Sequence, residues 1–172
     1  SSYLALKASG VKYYDYEGKE LDDAGFFRFL KDCGVNYVRI RVWNNPYDEN
    51  NNGFGGGNND LAKAVTMGKL ATDAGMRVMI DFHYSDFWTD PGKQKSPRAW
   101  EGMSIEDKAT ALYDFTKSSL QTLKDSGVDV GMVQVGNETN NGIAGETDFT
   151  NMCRLFSSGS KAVREVFSSA KV

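Results

Sequence analysis

The stretch Met132-Val-Gln-Val-Gly-Asn-Glu-Thr-Asn140 is an apolar run that ends in an amide beside a carboxylate, Asn137 and Glu138. A strand that buries Val133 and Val135 and then presents two polar side chains at its C-terminal end is built like a catalytic strand end. Glu138 can donate a proton and Asn137 can hydrogen-bond a sugar hydroxyl; the alternative is a glutamate that caps the next turn. Two further runs behave similarly. In 35–43, Val38, Ile40 and Val42 alternate with Tyr37, Arg39, Arg41 and Trp43; in 77–83, Val78, Ile80 and Phe82 alternate with Met79, Asp81 and His83. In an open doubly wound sheet both faces are apolar. Here one face is aliphatic while the other carries two guanidinium groups, which need carboxylate partners in a polar lumen. A closed barrel with a catalytic upper layer supplies that.

Each of these residues has a plainer reading. His83 is the only histidine, and a lone histidine without a suitable cysteine pattern makes no typical zinc site. It orients a carboxylate, contacts substrate, or is a satisfied structural histidine. Arg39 and Arg41 are site residues or structural ion pairs. Trp88 and Trp100 lie in the long loop 84–103 with Asp86 and Asp90-Pro91, a length that itself points to function. Their rings are sugar-stacking faces or anchors for the loop. Gly55-Gly-Gly57 lacks the Gly-Lys-Ser/Thr ending of a phosphate loop, and no Gly-x-Ser-x-Gly elbow is present, so nucleotide binding and serine-hydrolase chemistry are set aside.

Three junctions position these residues: Lys31-Asp-Cys-Gly34-Val35, Thr72-Asp-Ala-Gly75-Met76 and Lys124-Asp-Ser-Gly127-Val128. Each ends an amphipathic segment with glycine at C′ and enters an apolar stretch. Helices are expected over 23–33 (Phe26, Phe27 and Leu30 inward), 60–74, 105–125 and 148–168. Ser104 with Asp107 makes a start like a capping box for the third. Residues 1–21 read as a loop with a short hairpin near Glu17-Gly18, and 170–172 as the start of another strand. Helix, glycine, strand, loop, repeated, means a parallel sheet with crossover helices.

With 172 residues, 40% hydrophobic and 25% charged, the chain suffices for one domain, 1–172, with a real core. A net charge of −3 leaves no footprint for nucleic acid or an anionic membrane, and no apolar run approaches the roughly 18 residues of a membrane span. The N-terminus lacks the regions of a signal peptide, so any export signal has been removed or was never present. Cys33 and Cys153, both in expected helices, read as free, buried thiols rather than a disulfide.

Taken together, the motifs resemble the endo-β-1,4-galactanases of glycoside hydrolase family 53. The resemblance rests on Gly34-Val-Asn-Tyr-Val-Arg-Ile-Arg-Val-Trp-Asn-Asn-Pro46, Gly55-Gly-Gly-Asn-Asn-Asp60, Asp81-Phe-His-Tyr-Ser-Asp-Phe-Trp-Thr-Asp-Pro91, Pro97-Arg-Ala-Trp100 and Met132 to Asn140. It implies an α/β fold of the TIM (β/α)8 barrel type, with about strands 2–4 and helices 1–4 of the barrel in this chain. It further implies a secreted, retaining enzyme acting on the β-1,4-galactan of type I arabinogalactan and pectin. On that pattern Glu138 is the general acid/base, Asn137 bonds the sugar 2-hydroxyl, and Arg39 steadies the nucleophile carboxylate. Arg41, Trp43, Asn44, His83, Asp86, Trp88, Trp100 and Asn140 are the candidates for binding substrate.

Retaining hydrolysis needs two carboxyl groups about 5–5.5 Å apart. The family's nucleophile is a second glutamate ending the seventh strand, outside these residues, and its calcium site belongs to late loops, so no metal or cofactor is expected here. A complete barrel takes about 250 residues. Exposed edges of a partial barrel imply that the isolated chain associates with itself or with the missing half, or is unstable. The competing reading is a non-catalytic galactan-binding or assembly fragment.

Overall fold

In the computed structural model, which describes residues 1–172, the three alternating runs form parallel strands: β1 (Tyr37–Val42), β2 (Arg77–Phe82) and β3 (Val130–Val135). They are hydrogen-bonded in the order β1-β2-β3. The register sets Ile40, Ile80 and Val133 side by side, and next to them Arg41, Asp81 and Gln134. An irregularity at Val78/Met79 lets Met132, rather than Gly131, stand opposite Met79. A Cβ on Gly131 would collide with the Tyr37 hydroxyl and the Arg77 guanidinium, so the skipped residue is one without a side chain. Beyond β3, Val133 N–H donates to Lys171 O (2.8 Å) and Lys171 N–H to Gly131 O (3.0 Å). This parallel pairing begins the further strand expected at 170–172.

Five helices accompany the sheet: α1 (Tyr3–Ala8), α2 (Asp23–Asp32), α3 (Leu61–Asp73), α4 (Ile105–Asp125) and α5 (Phe149–Val166). Four start on a side chain that caps a free N–H: Asp22 to Gly25 (2.6 Å), Asp60 to Lys63 (2.8 Å), Ser104 to Asp107 (3.1 Å) and Asp148 to Asn151 (3.0 Å). Helices α2, α3 and α4 stop at Gly34, Gly75 and Gly127, whose φ values of 94°, 79° and 78° are the left-handed ones expected of C′ glycines. The strand side chains facing the helices, Ile40, Val42, Val78, Ile80, Phe82 and Val133, are 2% exposed or less. Against them lie Ala64, Met67 and Ala71 of α3, Leu112, Leu120 and Leu123 of α4, and Leu155 and Val163 of α5. Burial of each large aliphatic side chain is worth about 1.5–3 kcal/mol. Gly159 lets α5 settle onto β3, since a Cβ there would stand 2.5 Å from Val135 Cγ1.

Two expectations are corrected. Residues 3–8 are helical, not loop: Tyr3 stacks on Phe26 (centroids 4.6 Å apart) and meets Phe27 edge-on. Packing on α2 sustains a helix too short to stand alone. The short hairpin is present, as an antiparallel bridge between Tyr14 and Glu20. Cys33 and Cys153 are free but exposed, because Cys33 sits at the polar cap of α2 and Cys153 faces outward on α5. No helix is long and apolar enough to cross a membrane.

Candidate active site

Parallel strands end on the same side of a sheet, so the residues beyond Val42, Phe82 and Val135 gather at one rim. There one guanidinium joins all three strands. Arg39 Nη2 lies 2.7 Å from Asp81 Oδ2 and donates to Asn137 Oδ1 (2.8 Å) and Gln134 Oε1 (3.2 Å). Asp81 and His83 are fully buried, and His83 Nε2 stands 3.2 Å from the same Asp81 oxygen. Neither approach to Asp81 has hydrogen-bond alignment, so the carboxylate is held by close contact rather than by directed bonds. The other ring nitrogen, Nδ1, accepts the Thr89 N–H (3.2 Å). That puts the neutral ring's proton on Nε2, toward Asp81.

Arg41 lies 4.1 Å above the Trp88 ring, a cation–π contact. Burial and then the neighbouring Arg39 lower its pKa, with Asp81 opposing them. Trp88 keeps 37% of its surface open. Trp43 is fully buried beneath, edge-on to His83 and Trp88 at 6.0 and 5.8 Å between centroids, and it packs the rim from below.

The loop 84–103 reaches across to the end of β3. Asn137 Nδ2 donates to Thr89 O (2.7 Å), so with Arg39 on its oxygen the carboxamide is gripped at both ends, leaving one N–H and one lone pair for a ligand. Gln94 Nε2 donates to the carbonyls of Asp90 (3.0 Å), Asn137 (2.8 Å) and Glu138 (3.2 Å). Glu138 itself has φ 49°. A left-handed non-glycine residue costs on the order of 1–3 kcal/mol and persists only where its surroundings impose it. Its side chain is exposed and accepts no hydrogen bond, so it does not cap the turn. Beyond it, Lys108 Nζ ties the next loop to α4 through Glu146 Oε1 (2.5 Å) and Ala144 O (3.2 Å). The Lys108 ammonium holds the Glu146 carboxyl below its ordinary pKa.

Other candidates fall elsewhere. Asn44, Asp86 and Trp100 line a separate cavity of about 460 Å3 with Tyr47 and Phe115. Asp86 clamps two loops by accepting from Asn45 N (3.0 Å), Arg98 N (3.0 Å) and Arg98 Nε (3.1 Å). Trp100 is 6% exposed and rests on Tyr84 and Phe115, so it anchors the loop. Asn140 is exposed and its side chain makes no hydrogen bond. Four partners were not among the candidates: Asp81, Gln134, Thr89 and Gln94. The strand alternation carried a signal for the first two. Nothing periodic marks the other two.

The sequence pattern of glycosyl hydrolase family 53 matches residues 1–172. The chain is 59% identical over 172 residues to an endo-beta-1,4-galactanase of Bacillus subtilis, covering all of this chain and 39% of that protein. Over 169 residues it is 36% identical to an arabinogalactan endo-beta-1,4-galactanase A of Emericella nidulans, covering 96% of this chain and 45% of that one. The solved family 53 catalytic domain of Ignisphaera aggregans superposes with a TM-score of 0.93 at 38% identity, over 99% of this chain and 48% of that domain. The chain therefore spans less than half the length of these relatives, and its three strands are a segment of a (β/α)8 barrel. Fold, rim and sequence converge: the chain belongs to glycosyl hydrolase family 53.

Proposed function

We propose that these residues form the acid/base side of an endo-β-1,4-galactanase active site, acting on β-1,4-galactan such as that of type I arabinogalactan and pectin. The observation that carries this reading is the rim itself. Arg39 binds Asn137, and the adjoining Glu138 is held left-handed with its carboxyl exposed and free of internal hydrogen bonds. The likeness to the Bacillus subtilis endo-beta-1,4-galactanase supplies the substrate class.

Glu138 protonates the glycosidic oxygen as the bond breaks, then takes a proton from the water that resolves the intermediate, as a retaining mechanism requires. The free N–H of Asn137 meets the sugar 2-hydroxyl, and Trp88 offers an open aromatic face. Asp81, buried against Arg39 and His83, is walled off from any substrate, so the nucleophile comes from a carboxylate outside these residues. The Arg39 guanidinium steadies that group. A polymeric substrate cannot enter a cell, which places the enzyme outside it.

In the full natural chain that carries these residues, galactan hydrolysis is expected to fall by a thousandfold or more in Glu138→Gln, with galactan affinity retained. Binding without turnover by the unaltered protein would instead support a galactan-binding or assembly role. Faster cleavage of mannan or glucan than of galactan would reassign the substrate.

A further inference from the structure

We infer that Gln94, in the loop after β2, is the positioning residue that fixes the backbone of the acid/base Glu138. The inference rests on the function proposed above and extends it to a side chain outside the strands. The carboxamide of Gln94 has two N–H groups and serves three carbonyls with them: Asp90 on its own loop, and the successive Asn137 and Glu138 beyond β3. In extended backbone, successive carbonyls point to opposite sides. One donor reaches both only if the residue between them turns in a helical sense, and Glu138, at φ 49°, turns left-handed. The donor and the unusual backbone are thus two aspects of one arrangement.

Nothing else in the vicinity does this. Thr89 grips the Asn137 side chain and lies 3.5 Å from its carbonyl through Oγ1, but it does not touch Glu138. Asn141 joins the two loops through Pro91 O (3.1 Å) without touching the carbonyls of residues 137 and 138. Gln94 Oε1 is buried without a partner, so this side chain is held in place by what its nitrogen donates. Without that donor, Glu138 can relax toward ordinary backbone conformations, and its carboxyl then leaves the line to the glycosidic oxygen.

Gln94→Met keeps the shape and removes the donor; Gln94→His keeps one N–H at similar reach. In the full natural chain, Gln94→Met is expected to lower kcat on galactan about tenfold to a hundredfold, with KM within twofold. The loss in kcat/KM should shrink on an aryl galactobioside whose dinitrophenolate leaving group departs without protonation. This is because kcat/KM reports formation of the intermediate, the step in which Glu138 acts as acid, and not the later step in which it acts as base. Gln94→His should recover much of the rate. Asn141→Ala, which loosens the loops without touching the carbonyls, should leave leaving-group dependence unchanged.

Equal losses on both substrates, or full activity in Gln94→Met, would overturn the assignment. Should Gln94→Met fail to fold, Gln94→His is compared with Gln94→Glu, which has no donor; equal rates in those two would overturn it as well. An unaltered protein that does not cleave galactan, or a Glu138→Gln variant that still does, would defeat the functional reading itself rather than the role of Gln94.

Discussion

From β1, Arg39 meets Asp81 on β2 and Gln134 and Asn137 on and beyond β3 through one guanidinium nitrogen, Nη2, a placement that the flexible stem and strongly hydrated ammonium of lysine do not reproduce. Arg39→Lys is therefore expected to lower kcat on galactan tenfold or more. Its unfolding temperature should change little, because the Arg39 side chain is 41% exposed; matched kinetic and melting measurements separate the two. Asp81→Asn is expected to behave differently. It removes a buried charge that faces both Arg39 and His83, so stability should fall by about 1–3 kcal/mol along with activity, as denaturant titration would show. At this scale the sequence was partly legible. Strand alternation placed Arg39, Arg41, Asp81 and His83 on one face, since a period of two is enforced by the pleat. Thr89 and Gln94 sit in a loop whose path follows no period, and their partners beyond β3 lie more than 40 residues away. Trp88 and Trp100, alike as letters, part company only when the loop is folded and one ring is covered.

Among the elements, the readable parts were those with local chemistry at their ends. Ser104 begins α4 and Gly127 follows it because both solve the problem of unpaired helix-terminal groups. Ser104→Ala should cost about 1 kcal/mol, a fall of roughly 2–4 °C in melting temperature for a protein of this size. Gly159→Ala, in contrast, is helix-favouring by propensity yet should destabilise, because the new methyl meets Val135 Cγ1 at 2.5 Å; thermal melts of the two variants would test that ordering. Helix α1 was not legible. Its six residues carry no side-chain cap, and it exists through Tyr3 on Phe26 and Phe27, a tertiary contact no local rule anticipates.

For the molecule as a whole, 8726 Å2 of surface is exposed, against about 8,400 Å2 expected for a free-standing protein of 19.0 kDa. Any tendency to associate therefore resides in sheet edges, above all β1, rather than in a large uncovered area. Concentration-dependent sedimentation of residues 1–172 is expected to show a reversible larger species, suppressed by a proline at Arg39 that removes an edge donor. Acid sensitivity has a named contributor. Glu146 has its carboxyl held low by Lys108, so the stability it lends is complete above its ordinary value near pH 4.5 and fades as pH falls through the lowered one. The gap in melting temperature between the natural protein and Glu146→Gln should hence be constant at neutral pH and close below about 4.5.

The left-handed turn at Glu138 sets a double filter on any amino acid placed there. Glycine, asparagine and aspartate suit the handedness of the main chain but lack the reach, while glutamine keeps the outline and loses the proton. On the role proposed for Glu138, these four replacements lead toward a folded, silent protein, and position 138 becomes a natural handle for capturing intact oligosaccharide in a crystal.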